Sequence, residues 1–197
     1  IPVDSEHFSI FYALRKNNIS NVDKIYLTAS GGPLNKIPKI KFRNVKISDA
    51  INHPNWKMGK KISIDSATMM NKVFEIIEAK KIFDLKYKQL KIIVHPKSYA
   101  HALIQFKNGL TKILFHDTNM TIPIFNSLYE LNEKNIKSKK LNFSIINDLK
   151  FKEINLKRFP VVKILNNMQN NHSLFETIIV AANDQLVEMF LSNKIQF

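Results

Sequence analysis

Cysteine is absent from the 197 residues, so neither a disulfide framework nor a thiolate metal site holds this chain together, and a reducing, cytoplasmic setting is expected. Glycine is almost as scarce: the four present leave no G-x-G-x-x-G, which excludes a dinucleotide fingerprint within these residues. No apolar run approaches the ~20 residues that span a bilayer and the first residues lack a signal-peptide pattern, so a soluble protein with no membrane partner is expected. Acidic residues number 16 against 30 basic ones, a formal charge of +14. The lysines are spread along the chain among Asn, Ile and Phe, and the local cluster Lys137 to Lys140 lies in an Asn-rich stretch. No nucleic-acid partner is therefore expected; an anionic small substrate would profit from the same field.

What is present is enough apolar residue, 45%, for one or two cores without staples. The most informative stretch runs from His53 to Glu78. A loop with Trp56, Met58 and Gly59 precedes a polar helix start, and Asn71, Lys72, Glu75 and Glu78 follow at spacings of three and four, hence on one helix face. Glu75 and Glu78 could offer anionic oxygen to a divalent metal. Ser66, Asn71 and Lys72 offer donors at an expected helix N-terminus, where amides and the dipole favour an anion such as phosphate. A solvated amphipathic helix capped by Ser explains the same spacing.

Near the start, Asp4-Ser5-Glu6-His7 leads into Phe8, Phe11, Tyr12 and Leu14 at helical spacing. This reads either as a helix cap with an acidic first turn or as two carboxylates of an oxygen-rich Mg²⁺ or Mn²⁺ site. Residues 23–29 alternate as a strand and end in Ser30-Gly31-Gly32, a sharp turn or a close approach. Residues 34–52 read as loop with a short helix, 66–82 as one helix, 90–94 as a buried strand, and Asn108-Gly109 as a hairpin turn between two strands carrying His101 and His116. A helix over about 122–131 follows. Residues 132–158 read as a linker, and two helices, 160–170 and about 174–192, as the start of a bundle. The expected fold is α+β: a mixed sheet flanked by helices over 1–131, the linker 132–158, and a small, incomplete helical bundle over 159–197.

Pro2 to His7, Leu27 to Pro33, His53 to Lys60 and Asp65 to Glu75 come in the order and approximate spacing that resembles 1-deoxy-D-xylulose 5-phosphate reductoisomerase. His95 to Ser98 and Ala181 to Asp184 extend the match. The resemblance implies NADPH- and metal-dependent conversion of 1-deoxy-D-xylulose 5-phosphate to 2-C-methyl-D-erythritol 4-phosphate, in the non-mevalonate route to isoprenoids. It implies Asp4, Glu6 and Glu75 as ligands of Mn²⁺, Mg²⁺ or Co²⁺, and Glu6, Glu75, Lys72 and His53 as the catalytic groups. Ser5, Ser30, His53, Trp56, Met58, Ser66, Asn71, Lys72 and Glu75 would contact the phosphorylated sugar, Trp56 and Met58 from a mobile lid. Gly59 and Met120 would border the nicotinamide, and the protein would be a homodimer. Three positions depart from the family pattern: Lys97 where Gln is usual, Val73 where Gly is common, and Thr121 where Arg is usual. The family's dinucleotide domain is not among these 197 residues, which leaves a non-catalytic phosphosugar-binding module as the alternative; a basic nucleic-acid-binding protein is a more distant one.

Overall fold

The computed structural model describes residues 1–129, 134–171 and 173–197. In chain order the elements are α1 (Ser5–Leu14), β1 (Val22–Ala29), α2 (Ile47–Ile51), α3 (Lys60–Thr68), α4 (Met70–Ile82), β2 (Leu90–Val94), β3 (Ala100–Phe106), β4 (Thr111–Phe115), α5 (Thr121–Tyr129), α6 (Phe143–Asn147), β5 (Lys152–Glu153) and α7 (Phe175–Leu191). Short 3-10 segments, among them Lys39–Asn44 and Pro160–Asn167, fill several connections.

The fold is α+β, built on one mixed sheet in the order β4-β3-β1-β2-β5. β1 and β2 are parallel, Leu27 opposite Ile92 and Ala29 opposite Val94, and every other pair is antiparallel. The parallel pairing requires a long crossover, which α2, α3 and α4 supply. Val22, Ile25 and Leu27 of β1 are fully buried, as suits a central strand covered on both faces. α1 packs on β3 and β4, and α4 on β1 and β2, closing a core that includes Ile10, Val73 and Ile76. A second apolar cluster joins Leu34, Ala50 and Ile64 to Val187 and Phe190 of α7. The helix-spaced Ile179, Val187 and Phe190 thus dock α7 onto the rest, each such side chain contributing about 1.5–3 kcal/mol on burial.

Several readings need correction. The single helix over 66–82 is two: it begins at Lys60 and breaks at Met69, whose left-handed φ of 73° ends α3 and starts α4. Ser66 therefore lies in the last turn of α3, not at a helix N-terminus, and α4 has no side-chain cap. In the β3–β4 hairpin Gly109 has φ of 86° while Asn108 is not left-handed. Gly109 donates to the Phe106 carbonyl at 3.0 Å and Phe106 to that of Leu110 at 2.9 Å, a three-residue loop that demands positive φ only at its last position. His116 lies just beyond β4. Residues 160–167 form a 3-10 rather than an α-helix, and the stretch expected to lack regular structure carries α6 and the edge strand β5. Of the helix expected to reach 131, residues 130 and 131 lie outside the described residues, as do 132 and 133 of the linker.

Candidate metal and substrate site

β1 and β2 run side by side and end together, and their C-terminal ends open on one cavity of about 260 Å³. Six pieces of chain meet there: the start of α1, the turn after β1, the loop before α3, the α3–α4 junction, the turn after β2, and Met120 just before α5. The crevice beyond the carboxyl ends of parallel strands is where α/β sheets commonly take ligands.

Asp4 caps α1, its Oδ1 accepting the amides of Glu6 at 3.1 Å and His7 at 3.0 Å. The cap turns Glu6 toward α4. One carboxylate oxygen each from Asp4, Glu6 and Glu75 lies within 4.8 Å of the others. Lys72 Nζ stands among them, 2.7 Å from Glu6 Oε1 and 2.6 Å from Glu75 Oε2. Desolvation opposes the Lys72 charge, but Glu6, Glu75 and Asp4 outweigh it and hold the ammonium above its ordinary value. Burial, and then the Glu6 charge, push Glu75 well above the usual carboxylate range although Lys72 opposes them. Burial also works against Asp4, yet the His7 hydrogen bond and charge bring it down to about 2.

His7 supports this set. It is buried, its Nδ1 is 3.1 Å from Asp4 Oδ1, and its Nε2 donates to the Glu75 carbonyl at 2.9 Å, so it ties α1 to α4. Burial lowers its pKa, but Asp4 and the Glu75 carbonyl more than reverse that. The His7 ring thus lies between two ligand-bearing helices.

The substrate-side residues meet from the other direction. Ser30 Oγ accepts the Gly32 amide at 3.0 Å and bonds His53 Nε2 at 2.9 Å. His53 Nδ1 accepts the amides of Asn55 and Trp56, so the proton sits on Nε2 and points at Ser30. Burial and the Lys72 charge lower His53 to about 4, keeping it neutral near pH 7. With both Ser30 lone pairs engaged, its own hydroxyl proton remains free to donate into the cavity. Gly32 has φ of 74°, and a Cβ there would meet the Ser66 carbonyl oxygen at 2.4 Å. The second glycine thus lets the β1 turn touch α3 and brings Ser30 and Ser66 to one wall.

Ser5, Trp56, Met58, Ser66, Asn71 and Met120 also line the cavity. Ser5 donates to Glu6, and Asn71 to Glu75 at 2.5 Å. Gly59 lies in a neighbouring cleft with Glu78, so every sequence-singled site residue except Gly59 and Glu78 borders the one cavity. Trp56 packs edge-on to His101 at 6.3 Å, and His101 stacks on His116 at 3.6 Å. Lys97, Val73 and Thr121 stay out of it: Val73 fills the core, Lys97 pairs with Asp148 at 2.8 Å, and Thr121 opens α5. Asp65 and Asn183-Asp184 prove to be partners. Asn183 Nδ2 donates to the buried Asp65 at 2.8 Å, and Lys61 bridges Asp65 and Asp184.

The donor set fits a divalent cation. Three hard carboxylates converge within 4.8 Å, and the buried Glu75 Oε2 meets the Lys72 ammonium at 2.6 Å. The Lys72 ammonium pairs with Glu6 and Glu75, and His7 Nδ1 lies beside Asp4.

Residues 1–83 match the family profile "1-deoxy-D-xylulose 5-phosphate reductoisomerase C-terminal domain", and residues 116–197 match "DXP reductoisomerase C-terminal domain". The 1-deoxy-D-xylulose 5-phosphate reductoisomerase of Pelagibacter ubique is 64% identical over 197 residues, covering all of this chain and 51% of the relative; that of Persephonella marina is 40% identical over 196 residues, covering 52% of the relative. Among solved structures, a DOX-P reductoisomerase in complex with NADPH, fosmidomycin and magnesium superposes with a TM-score of 0.88 at 35% identity, over 99% of this chain and 50% of that one. The Zymomonas mobilis 1-deoxy-D-xylulose 5-phosphate reductoisomerase in complex with NADPH superposes with a TM-score of 0.89 at 32% identity, over all of this chain and 50% of that one. The chain thus spans about half the length of the relatives it matches. With both profiles, the motif order and the fold in agreement, the chain belongs to the 1-deoxy-D-xylulose 5-phosphate reductoisomerase family.

Proposed function

We propose that this chain forms the metal- and substrate-binding part of an enzyme that isomerises and reduces 1-deoxy-D-xylulose 5-phosphate to 2-C-methyl-D-erythritol 4-phosphate, with NADPH and a divalent cation, Mn²⁺, Mg²⁺ or Co²⁺. The observation that carries the reading is the carboxylate triad Asp4, Glu6 and Glu75 sharing a cavity with Ser30, His53, Ser66, Asn71 and Lys72. It is supported by relatives solved with magnesium, NADPH and fosmidomycin.

Asp4, Glu6 and Glu75 would hold the metal. When bound, the metal would polarise the substrate carbonyl as a Lewis acid and NADPH would supply the hydride. Lys72 brings a permanent positive charge to the floor, beside the anionic substrate. Ser30 donates its free hydroxyl proton, His53 fixes that hydroxyl from behind, and Ser66 and Asn71 add donors at the α3–α4 junction. Trp56 and Met58 cover the cavity and exclude water, which strengthens every electrostatic contact beneath them. Met120, which lines the cavity, would face the nicotinamide, and Gly59, in the neighbouring cleft, would border it. No helix is long and apolar enough to cross a membrane among the described residues, and we place the enzyme in the cytoplasm. The edge strand β4 with its exposed Ile113, and Leu110 exposed just before it, supports a homodimer through the sheet.

The test is substrate-dependent NADPH oxidation by the full-length protein bearing this sequence, with and without Mn²⁺. Activity should require the metal and fall more than ~100-fold in Glu75→Gln, because outer-shell partners alone are worth roughly 10–100-fold at metal sites. Metal-independent oxidation would refute the reading.

A further inference from the structure

The loop from His53 to Gly59 overhangs the cavity, and two sets of hydrogen bonds hold it there. At its base His53 binds Ser30 and gathers the Asn55 and Trp56 amides. Those contacts fix the turn over residues 53–56. Asn55 reaches further. Its Nδ2 donates to the Pro96 carbonyl at 2.8 Å and to Ser98 Oγ at 2.9 Å, groups 41 and 43 residues away on the turn after β2.

The turn that Asn55 grips is itself anchored. The His95 amide donates to the Ala29 carbonyl at 2.7 Å, and its Nδ1 donates to the Lys150 carbonyl at 3.1 Å. The His95 ring lies 4.9 Å from Phe151, and Lys97 pairs with Asp148. Ser98 closes the turn on the His95 carbonyl at 3.0 Å and is held at φ of 51°, a left-handed conformation that persists for a non-glycine residue only where its surroundings fix it. Ser98 is buried and lines the cavity. Because its oxygen accepts from Asn55, its hydroxyl proton is available to another acceptor.

We propose that Asn55 is a positioning residue: by docking the loop on the Pro96–Ser98 turn it latches Trp56 and Met58 over the cavity and holds the Ser98 hydroxyl ready for bound substrate. This deepens the reading of the cavity as a phosphosugar site and rests on it. The latch depends on amide donors and not on the volume of the side chain. Asp, the isostere, cannot donate, and its carboxylate would sit against the Pro96 carbonyl. The packing of Trp56 on His101 is a separate contact, made by the indole and not by the Asn55 amide.

The experiment uses the full-length protein bearing this sequence with Asn55→Ala and Asn55→Asp. Trypsin cleavage after Lys57 under native conditions, with fragments identified by mass, reads loop opening. Both variants should be cut on the order of tenfold faster, since two hydrogen bonds of modest net strength are lost. Fosmidomycin should dissociate with a Kd raised on the order of tenfold, and kcat/KM should fall in step. Mn²⁺ affinity without substrate should not change, because Asn55 hydrogen-bonds to Pro96 and Ser98 and not to Asp4, Glu6 or Glu75. Asn55→Asp behaving as the parent would overturn the proposal, since only volume would then matter. A matched fall of melting temperature and Mn²⁺ affinity would also overturn it, by showing a merely structural role. Absence of NADPH oxidation in the parent protein would sink the functional reading while the Lys57 cleavage rates still decide the latch.

Discussion

Lys72 is the side chain on which the candidate site converges. It is buried between Glu6 and Glu75, so replacing it with Met leaves two carboxylates facing each other without their shared cation. Breaking a buried pair from one side costs about 3–5 kcal/mol, well above the worth of the pair itself. Lys72→Met should therefore melt many degrees lower, and saturating Mn²⁺ should restore part of the loss if the carboxylates bind it; an unchanged melting curve would mean that Lys72 does not balance them. The histidines make a separate case. Burial holds His53 at about 4 and His101 at about 3, both below the ordinary 6.5, and the nearby His116 and Lys72 charges add to it at His101. The unfolded chain then takes up these protons more readily than the folded one, so the stability they contribute is whole above pH 6.5 and is lost as pH falls through 6.5 toward 4 and 3. Thermal melts between about pH 7 and 5 should show that slope, and His101→Gln should flatten it; a slope unaltered in the variant would place the effect elsewhere.

The junction between α3 and α4 shows what the sequence conveyed at the level of elements and what it withheld. The spacing of Asn71, Lys72 and Glu75 was legible, because helical periodicity survives wherever the helix begins. The break at Met69 was not: no Gly, Pro or Asn marks it, and a buried Met at φ of 73° is a conformation imposed by packing against local preference. That break puts Ser66 and Asn71, five residues apart, on one wall of the cavity. The paired glycines were a better signal. Two of four glycines in succession after a strand asked for a close approach, and Gly32 supplies it against the Ser66 carbonyl. Gly32→Ala should destabilise by at least ~2 kcal/mol, combining the left-handed strain with the overlap, and should weaken phosphosugar binding by moving Ser30 away from α3. Chemical denaturation and calorimetry check both, and a fully stable variant with parental affinity would show that the turn can relax. The Asp65 clasp on Asn183 was visible only as two separate motifs, since 118 residues of chain give no local hint that they touch.

Across the whole molecule, the order of motifs along the chain anticipated the cavity because Pro2 to His7, Leu27 to Pro33, His53 to Lys60, Asp65 to Glu75 and His95 to Ser98 each place residues in its lining. The sheet was legible in outline: β1, β2 and the hairpin carry alternation or turn chemistry of their own. Its edge was not, since β5 is two residues long and is held by its pairing with β2 and not by any propensity in Lys152-Glu153. Of the 30 basic residues behind the formal charge of +14, Lys72 serves the site, and Lys61 and Lys97 pair with Asp65 and Asp148. What the sequence could not display was support from a distance: His7 under the triad and Asn55 across to Ser98 act through atoms that only the fold brings together. The central claim is that Asp4, Glu6 and Glu75 hold a divalent cation as one set. Calorimetric titration of Mn²⁺ into the full-length protein and into Glu75→Gln tests it most directly: the parent should bind one Mn²⁺ at this site and the variant at least ~10-fold more weakly, because a hard cation loses both an anionic ligand and the charge that offsets its own. Equal affinity in the two proteins would contradict it.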